Sequence, residues 1–196
     1  IEKTTPRKDH INVFAGMLST ADLRYLKEIF TDFGLNHMLL PDYSQTMDGT
    51  LWSEYQKIPT GGTTIEKIKD AGNACASLQM GRILNTESES AAKYLNNTFD
   101  IPSHELGLPI GIKETDLMFA ALEEISGKAT PQKYVEERGR LIDAYVDGHK
   151  YVNGAKAALC GEEDLVVGLA SFLSEIGIAP VLCASGGESG HLAARL

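Results

Sequence analysis

The side chains here that have the means to do chemistry are Cys75, Cys160 and Cys183, five histidines and two acidic stretches. An iron–sulfur cluster needs several thiolates that converge. Three is an odd number, and the spacing fits neither a CxxC pair nor a zinc pattern. Each cysteine sits in an apolar stretch, so all three are expected to be buried, inert thiols of a reducing compartment. His10, His37, His104, His149 and His191 are spread widely, and none forms a local ligand pattern with Cys or Asp. His149 falls one turn past Tyr145 and close to Asp147, which suits a partner-facing or satisfied polar residue. No catalytic, cofactor-binding or metal-binding residue is expected.

Phosphate chemistry would need bare backbone N–H groups at a strand-to-helix turn. The turn at Gly161 is unsuitable, because Glu162, Glu163 and Asp164 already fill the positive helix start and would repel a phosphate. No GxGxxG is present. Ser185-Gly186-Gly187-Glu188-Ser189-Gly190 is a better turn for a small anion or a partner loop, although glycine turns are also common connectors. The stretch from Pro41 to about Gly62 reads as a long loop. It mixes Asp42, Tyr43, Ser44, Asp48, Trp52 and Tyr55, the composition of an interface rim with aromatic anchors. Asp42, Tyr43, Trp52, Tyr55 and His149 are therefore the candidate partner-contact residues.

These groups need a scaffold, and the apolar pattern supplies one. His10 to Phe14 reads as a strand, and Ser19 caps a helix on which Leu23, Leu26, Ile29, Phe30 and Phe33 share a face. Gly34 stops that helix and His37 to Leu40 forms a second strand, a β-α-β unit of a parallel sheet. A short helix from Ile65 to Asp70 follows, then a strand from Ala74 to Met80. A helix from Glu87 to Thr98 buries Ala91, Tyr94 and Leu95. Further on come a strand from Ser103 to Leu108 and a helix from Thr115 to Ser126 closed by Gly127. Pro131 opens a long helix to Val152, whose Gly139 and Gly148 suggest a close helix contact. A second β-α-β unit occupies Ala157–Cys160, Glu162–Ile176 and Pro180–Ala184, and Ser185-Gly186-Gly187 opens another helix. The fold class is α/β.

The 196 residues carry a net charge of −9 and are 43% hydrophobic. That length buries a real core. An acidic chain does not suit a nucleic-acid backbone, and no apolar run approaches the ~20 residues that cross a membrane. The chain opens on Ile1 and breaks off inside a unit, so it is expected to be a piece of something larger.

Several blocks resemble the middle region of nitrogenase component 1 β-type subunits, in family order and over nearly the whole chain. They are His10-Ile11-Asn12-Val13, Leu40-Pro41-Asp42-Tyr43-Ser44, Gly61-Gly62-Thr63-Thr64, and Leu108-Pro109-Ile110-Gly111-Ile112. Glu124-Ile125-Ser126-Gly127-Lys128 follows, then Glu137-Arg138-Gly139-Arg140-Leu141-Ile142-Asp143-Ala144 with His149. The last block is Gly161-Glu162-Glu163-Asp164-Leu165-Val166-Val167-Gly168-Leu169. The resemblance implies Rossmann-like parallel sheets flanked by helices, a fragment of a three-domain subunit. Residues 1–130 would be the middle Rossmann-like domain, 131–153 a bridging helix, and 154–196 the truncated start of the next domain. It also implies an α-type partner in a cytoplasmic heterotetramer, an ATP-dependent iron protein as electron donor, and neither nucleic acid nor membrane as a partner.

The family has a catalytic branch, which includes the molybdenum–iron β subunit, and a biosynthetic branch, the scaffold that matures the iron–molybdenum cofactor for nitrogen fixation. Met47-Asp48-Gly49-Thr50-Leu51-Trp52 and Ile58-Pro59-Thr60-Gly61-Gly62 look more like the scaffold, and that branch is the expectation. The resemblance implies an iron–sulfur cluster and an iron–molybdenum cofactor, or its precursor, in the full complex, but none in this stretch. In α-type subunits a cofactor-ligating cysteine precedes an Ile-Pro pair. Here Ile101-Pro102 is preceded by Ser88-Glu89-Ser90-Ala91-Ala92-Lys93, with no thiol. Two rival readings are a self-standing doubly wound protein that binds a small molecule at its strand ends, and a pure binding module on the same frame.

Overall fold

The computed structural model describes residues 1, 3, 8–49, 51, 53–55, 57, 61–83, 86 and 90–196. It divides into two compact units, Ile1–Met80 with Glu89–His104, and Gly81–Ser88 with Glu105–Leu196. The helix at 111–126 falls in the second of these units.

The first unit is built on strands β1 (His10–Phe14), β2 (Asn36–Leu39) and β3 (Ala76–Met80) with the start of β4 (Ser103–Leu106), in the sheet order β2-β1-β3-β4. β1 runs parallel to both neighbours, with His10 opposite Asn36 and Ile11 opposite Ala76. Helix α1 (Thr20–Asp32) starts where the Ser19 hydroxyl accepts from the Asp22 N–H at 3.1 Å. Its Leu23, Leu26, Ile29 and Phe30 are buried, each contributing about 2 kcal/mol of apolar transfer. The helix ends because Gly34 adopts φ +72°. Leu35 N–H then reaches back to the Phe30 carbonyl at 2.9 Å, closing the carbonyls that the helix leaves open.

α2 (Ile65–Asp70) is capped by Thr64, and α3 (Ala91–Phe99) by Ser90. Because α3 begins at Ala91, its inward face carries Ala92 and Leu95, while Ala91 is exposed and Tyr94 is 41% exposed. The expectation for Ala91 and Tyr94 is thus corrected; residues 87–89, its expected start, lie outside the described residues. Phe14, Met38, Ala71, Ala74, Ala92, Leu95 and Ile101 form a core cluster. Inside the sheet the Asn12 amide donates to the Ala71 carbonyl at 2.9 Å and to Ser77 Oγ at 3.3 Å.

The second unit holds α4 (Gly111–Ser126), α5 (Gln132–Val152), β5 (Lys156–Cys160), α6 (Glu163–Glu175), β6 (Ala179–Ala184) and α7 (Leu192–Arg195). β5 and β6 are parallel neighbours, joined through α6. Glu162 caps α6 by accepting from the N–H groups of Asp164 and Leu165, both at 3.0 Å. Asp164 accepts from the Ile83 N–H at 2.8 Å. The acidic helix start is thereby committed to its own chain, as the sequence implied. At the other end Glu175 accepts from Ile112 and Lys113 N–H at 2.8 and 3.0 Å, so the last residue of α6 caps the start of α4.

α5 is exposed along most of its length; Tyr134 is its buried residue. A Cβ built at Gly139 or Gly148 would meet nothing within 4 Å. The close helix contact expected at these glycines is therefore absent among the described residues. The Ser185–Gly190 segment forms a turn before the short α7. The carboxylate of Glu163 lies against Gly187, where a Cβ would meet its Cδ at 2.7 Å. A carboxylate at that distance makes the turn unfavourable for an anion. No described helix is long and apolar enough to cross a membrane.

Candidate functional site

The polar face of α1 and the loop that follows β2 are made for each other. Thr20, Arg24 and Lys27 stand at helical spacing, and the loop returns two carboxylates to them. Lys27 Nζ pairs with Asp42 Oδ2 at 2.5 Å and donates to Ser44 Oγ at 2.7 Å. Asp42 also accepts from the Ser44 N–H at 3.1 Å and hydroxyl at 2.7 Å, an Asx-type turn. Burial alone would push the Asp42 carboxyl up, but the hydrogen bonds from Lys27 and Ser44 hold it below its ordinary value. Arg24 binds Asp48 and the Ser44 carbonyl, and the Tyr43 hydroxyl donates to the Leu18 carbonyl at 2.6 Å.

Between this stitching and α2 lies a recess of about 120 Å³ lined by Lys27, His37, Leu39, Asp42, Gly62, Thr63 and Lys67. It sits beyond the carboxyl end of β2, the end of a parallel sheet at which ligands bind. Gly61 and Gly62 adopt φ +110° and +83°, which bends the chain back over β2. The Thr63 hydroxyl donates to the Leu39 carbonyl and fixes that bend. His37 packs on Phe30 with ring centroids 5.5 Å apart. Its Nδ1 lies 3.3 Å from the Leu35 carbonyl, which can only accept, so Nδ1 carries the hydrogen and Nε2 is the acceptor. Burial, then the charges of Lys27 and Lys67, lower the His37 pKa against the raising effects of the Leu35 carbonyl and Asp42.

The structure distributes the expected partner-contact residues differently from one another. Asp42 and Tyr43 are half-buried and anchor the loop to α1. Tyr55 stands out at 88% exposure, beside Leu51 at 101% and Met47 at 75%. His149 is exposed on α5, with its ring over Gly177, where a Cβ would meet His149 Cε1 at 2.8 Å. Trp52 and Pro59 lie outside the described residues. Sequence reading passed over the recess itself, because Lys27, His37 and Lys67 come from three separate elements. The signal that pointed to it was the basic spacing on α1 opposite the two acids of the loop.

The cysteines do not behave as expected. Cys160 is exposed and Cys75 and Cys183 are only half-buried. Cys160 belongs to a strand whose alternate residues are open, so an apolar neighbourhood in sequence does not bury it. Among the described residues no group of three His, Cys, Asp or Glu side chains converges to hold a metal ion.

The fold is an α/β class with parallel strands flanked by helices, and its polar recess lies at the carboxyl end of the sheet. Over residues 1–196 the sequence matches the family described as nitrogenase component 1 type oxidoreductase, and the chain belongs to it. It is 37% identical to the nitrogenase molybdenum-iron protein beta chain of Clostridium pasteurianum, over 94% of this chain and 40% of that one. It is 32% identical to the vanadium-iron protein beta chain of Trichormus variabilis, over 91% of this chain and 38% of that one. The iron-molybdenum cofactor biosynthesis protein NifN of a Nostoc species is also 32% identical, over 88% of this chain and 38% of that one. A solved structure, nitrogenase Cp1 at pH 6.5, superposes with a TM-score of 0.90 at 35% identity, covering 100% of this chain and 43% of that one. The relatives place the chain on the β-type side of the family, and it spans about two fifths of their length.

Proposed function

We propose that this chain forms part of a β-type subunit of a catalytic nitrogenase component 1. In this reading, residues 1–130 are its middle domain, 131–153 a bridging helix and 154–196 the opening of the next domain. The observation that carries the reading is the 37% identity to a molybdenum-iron beta chain over 94% of this chain. The role is architectural. The chain holds an α-type partner in a cytoplasmic heterotetramer that contains an iron–sulfur cluster and an iron–molybdenum cofactor on residues outside this stretch. An ATP-dependent iron protein supplies the electrons. The partner contacts include the Asp42–Tyr55 loop, with Trp52 among its residues, whose Asp42 and Tyr43 fix the base while Tyr55 stands exposed, and His149 on α5. Replacing Tyr55 by Ala is expected to weaken assembly at least tenfold, the scale of an aromatic hot spot. An unchanged dissociation constant for the α-type partner removes the loop from the interface.

The second reading is the β-type chain of the cofactor-maturation scaffold. It is favoured by the compact Met47-Asp48-Gly49-Thr50-Leu51-Trp52 stretch and by the 32% identity to NifN. Deleting the gene in its own host separates the two. Under the catalytic reading the molybdenum–iron component itself is missing. Under the scaffold reading that component accumulates without its cofactor, and its iron and molybdenum contents fall.

A further inference from the structure

The recess beyond β2 retains two polar groups that the loop stitching does not use. Lys67 is exposed on α2, and its ammonium makes no ion pair among the described residues. Nδ1 of His37 faces the Leu35 carbonyl, which makes Nε2 the acceptor, and Nε2 accepts from no described residue. Both side chains line the same recess as Lys27 and Asp42. We propose that this recess binds hydrogen phosphate, held by the ammonium groups of Lys67 and Lys27 and donating its own hydrogen to Nε2 of His37.

The chemistry of the lining selects that ligand. With a neutral imidazole, two ammonium groups and one carboxylate leave a net positive site, which calls for an anion. Asp42 is already engaged by Lys27 and Ser44, so it holds Lys27 at the wall rather than cancelling Lys67. Nε2 is an acceptor at neutral pH, and the Thr63 hydroxyl has spent its hydrogen on the Leu39 carbonyl. An anion with only acceptor oxygens, such as sulfate or a carboxylate, would oppose both lone pairs. Hydrogen phosphate brings one hydrogen that can point at Nε2, and its remaining oxygens take the ammonium hydrogens. The recess, of about 120 Å³, suits an ion of this size better than a nucleotide.

The groups that face His37 also set a pH signature. Lys27 from α1, Lys67 from α2 and Asp42 from the loop all act on the ring. When the imidazole takes up a proton it becomes a donor, and sulfate no longer meets an opposing lone pair. The test is calorimetry on the full-length protein with inorganic phosphate and, separately, sulfate, near pH 7.5 and near pH 5. Phosphate is expected to bind more tightly than sulfate by about tenfold near neutrality, the scale of one charge-assisted hydrogen bond, and the gap should narrow in acid, where the imidazole becomes a donor and the phosphate itself takes up a proton and loses a charge. Lys67→Met should weaken phosphate about tenfold, with Lys67→Arg retaining most of the affinity. Lys67 is exposed, so neither change threatens the fold, and circular dichroism verifies that. Equal affinity for the two anions near pH 7.5, no detectable heat with phosphate, or an unchanged affinity in Lys67→Met overturns the proposal.

Discussion

Arg24 Nη1 and Nη2 reach the two carboxylate oxygens of Asp48 at 2.7 and 3.1 Å, a fork-on-fork contact that ties the loop after β2 to α1. Thr20 adds a hydroxyl to the same carboxylate at 2.6 Å. Hydrogen bonds from Arg24, then Thr20, lower the Asp48 pKa from 3.8 to about 2. A depressed carboxyl favours the native arrangement fully above its unfolded pKa, and that contribution disappears as the pH falls from 3.8 through about 2. Asp48→Asn is therefore expected to loosen the loop already at neutral pH. Hydrogen exchange of amides 43–49 should speed up while the α1 core amides keep their protection. Unchanged loop protection in the variant would show that Lys27–Asp42 and Tyr43 hold the loop alone.

Glu175 performs a cap across elements. Both its oxygens accept from the first free N–H groups of α4, a role that a local side chain fills in most helices. The nearby Tyr145 hydroxyl has its pKa raised by burial and then by the Glu175 charge. Glu175→Gln should lower the phenol pKa, followed by ultraviolet titration, because the anion no longer meets a carboxylate. Glu175→Ala should in addition cost about 1–2 kcal/mol in urea unfolding, the usual penalty for a lost cap. A phenol titration that does not move would mean that burial accounts for the whole shift.

Local chemistry made much of this fold legible. The His10–Phe14 strand, the Ser19 cap, the buried stripe through Leu23, Leu26, Ile29 and Phe30, and the Gly34 stop all follow from neighbours within a few residues. Where the outcome depended on distant segments, the sequence misled. The cysteines seemed buried because their neighbours are apolar, yet Cys160 lies on an open face of β5. Gly139 and Gly148 suggested a packed helix, but α5 exposes them to open space. The contacts that Asp42 and Tyr43 make inside the chain were also not legible. Their partners, Lys27 on α1 and the Leu18 carbonyl just before that helix, lie on the other side of β2 in the chain. The recess needed α1, β2 and α2 together, and no single stretch of sequence carries it.

Glu114 is a buried carboxylate of the second unit. Its side chain is 8% exposed, and Arg82 Nη2 binds both oxygens at 3.0 and 2.8 Å. Gly107 makes room for the pair, since a Cβ there would meet Glu114 Oε2. Arg82→Met leaves the acid buried without its cation and is expected to cost about 2–3 kcal/mol, reduced from a fully buried pair because Arg82 is 31% exposed. Gly107→Ala should destabilise by about 1–3 kcal/mol through the same contact. Equal urea midpoints for Arg82→Met and the parent protein would show that solvent replaces the arginine without loss.

Two histidines are expected to make the first unit acid-sensitive. Burial lowers the pKa of His10, against a raising effect of Asp70 and a lowering effect of Lys8, and burial likewise lowers that of His37. The unfolded rings take up protons near pH 6.5, before the folded ones do. Above that pH both states are neutral and the histidines contribute no pH dependence. As the pH falls below it, the unfolded state binds more protons and stability is lost, until the folded rings titrate as well. The urea midpoint in the absence of phosphate should therefore fall between pH 7.5 and 5.5. It should fall less in a His10→Gln, His37→Gln double variant, because glutamine offers a hydrogen bond and no proton equilibrium. A parallel fall in both proteins would assign the acid sensitivity to other groups.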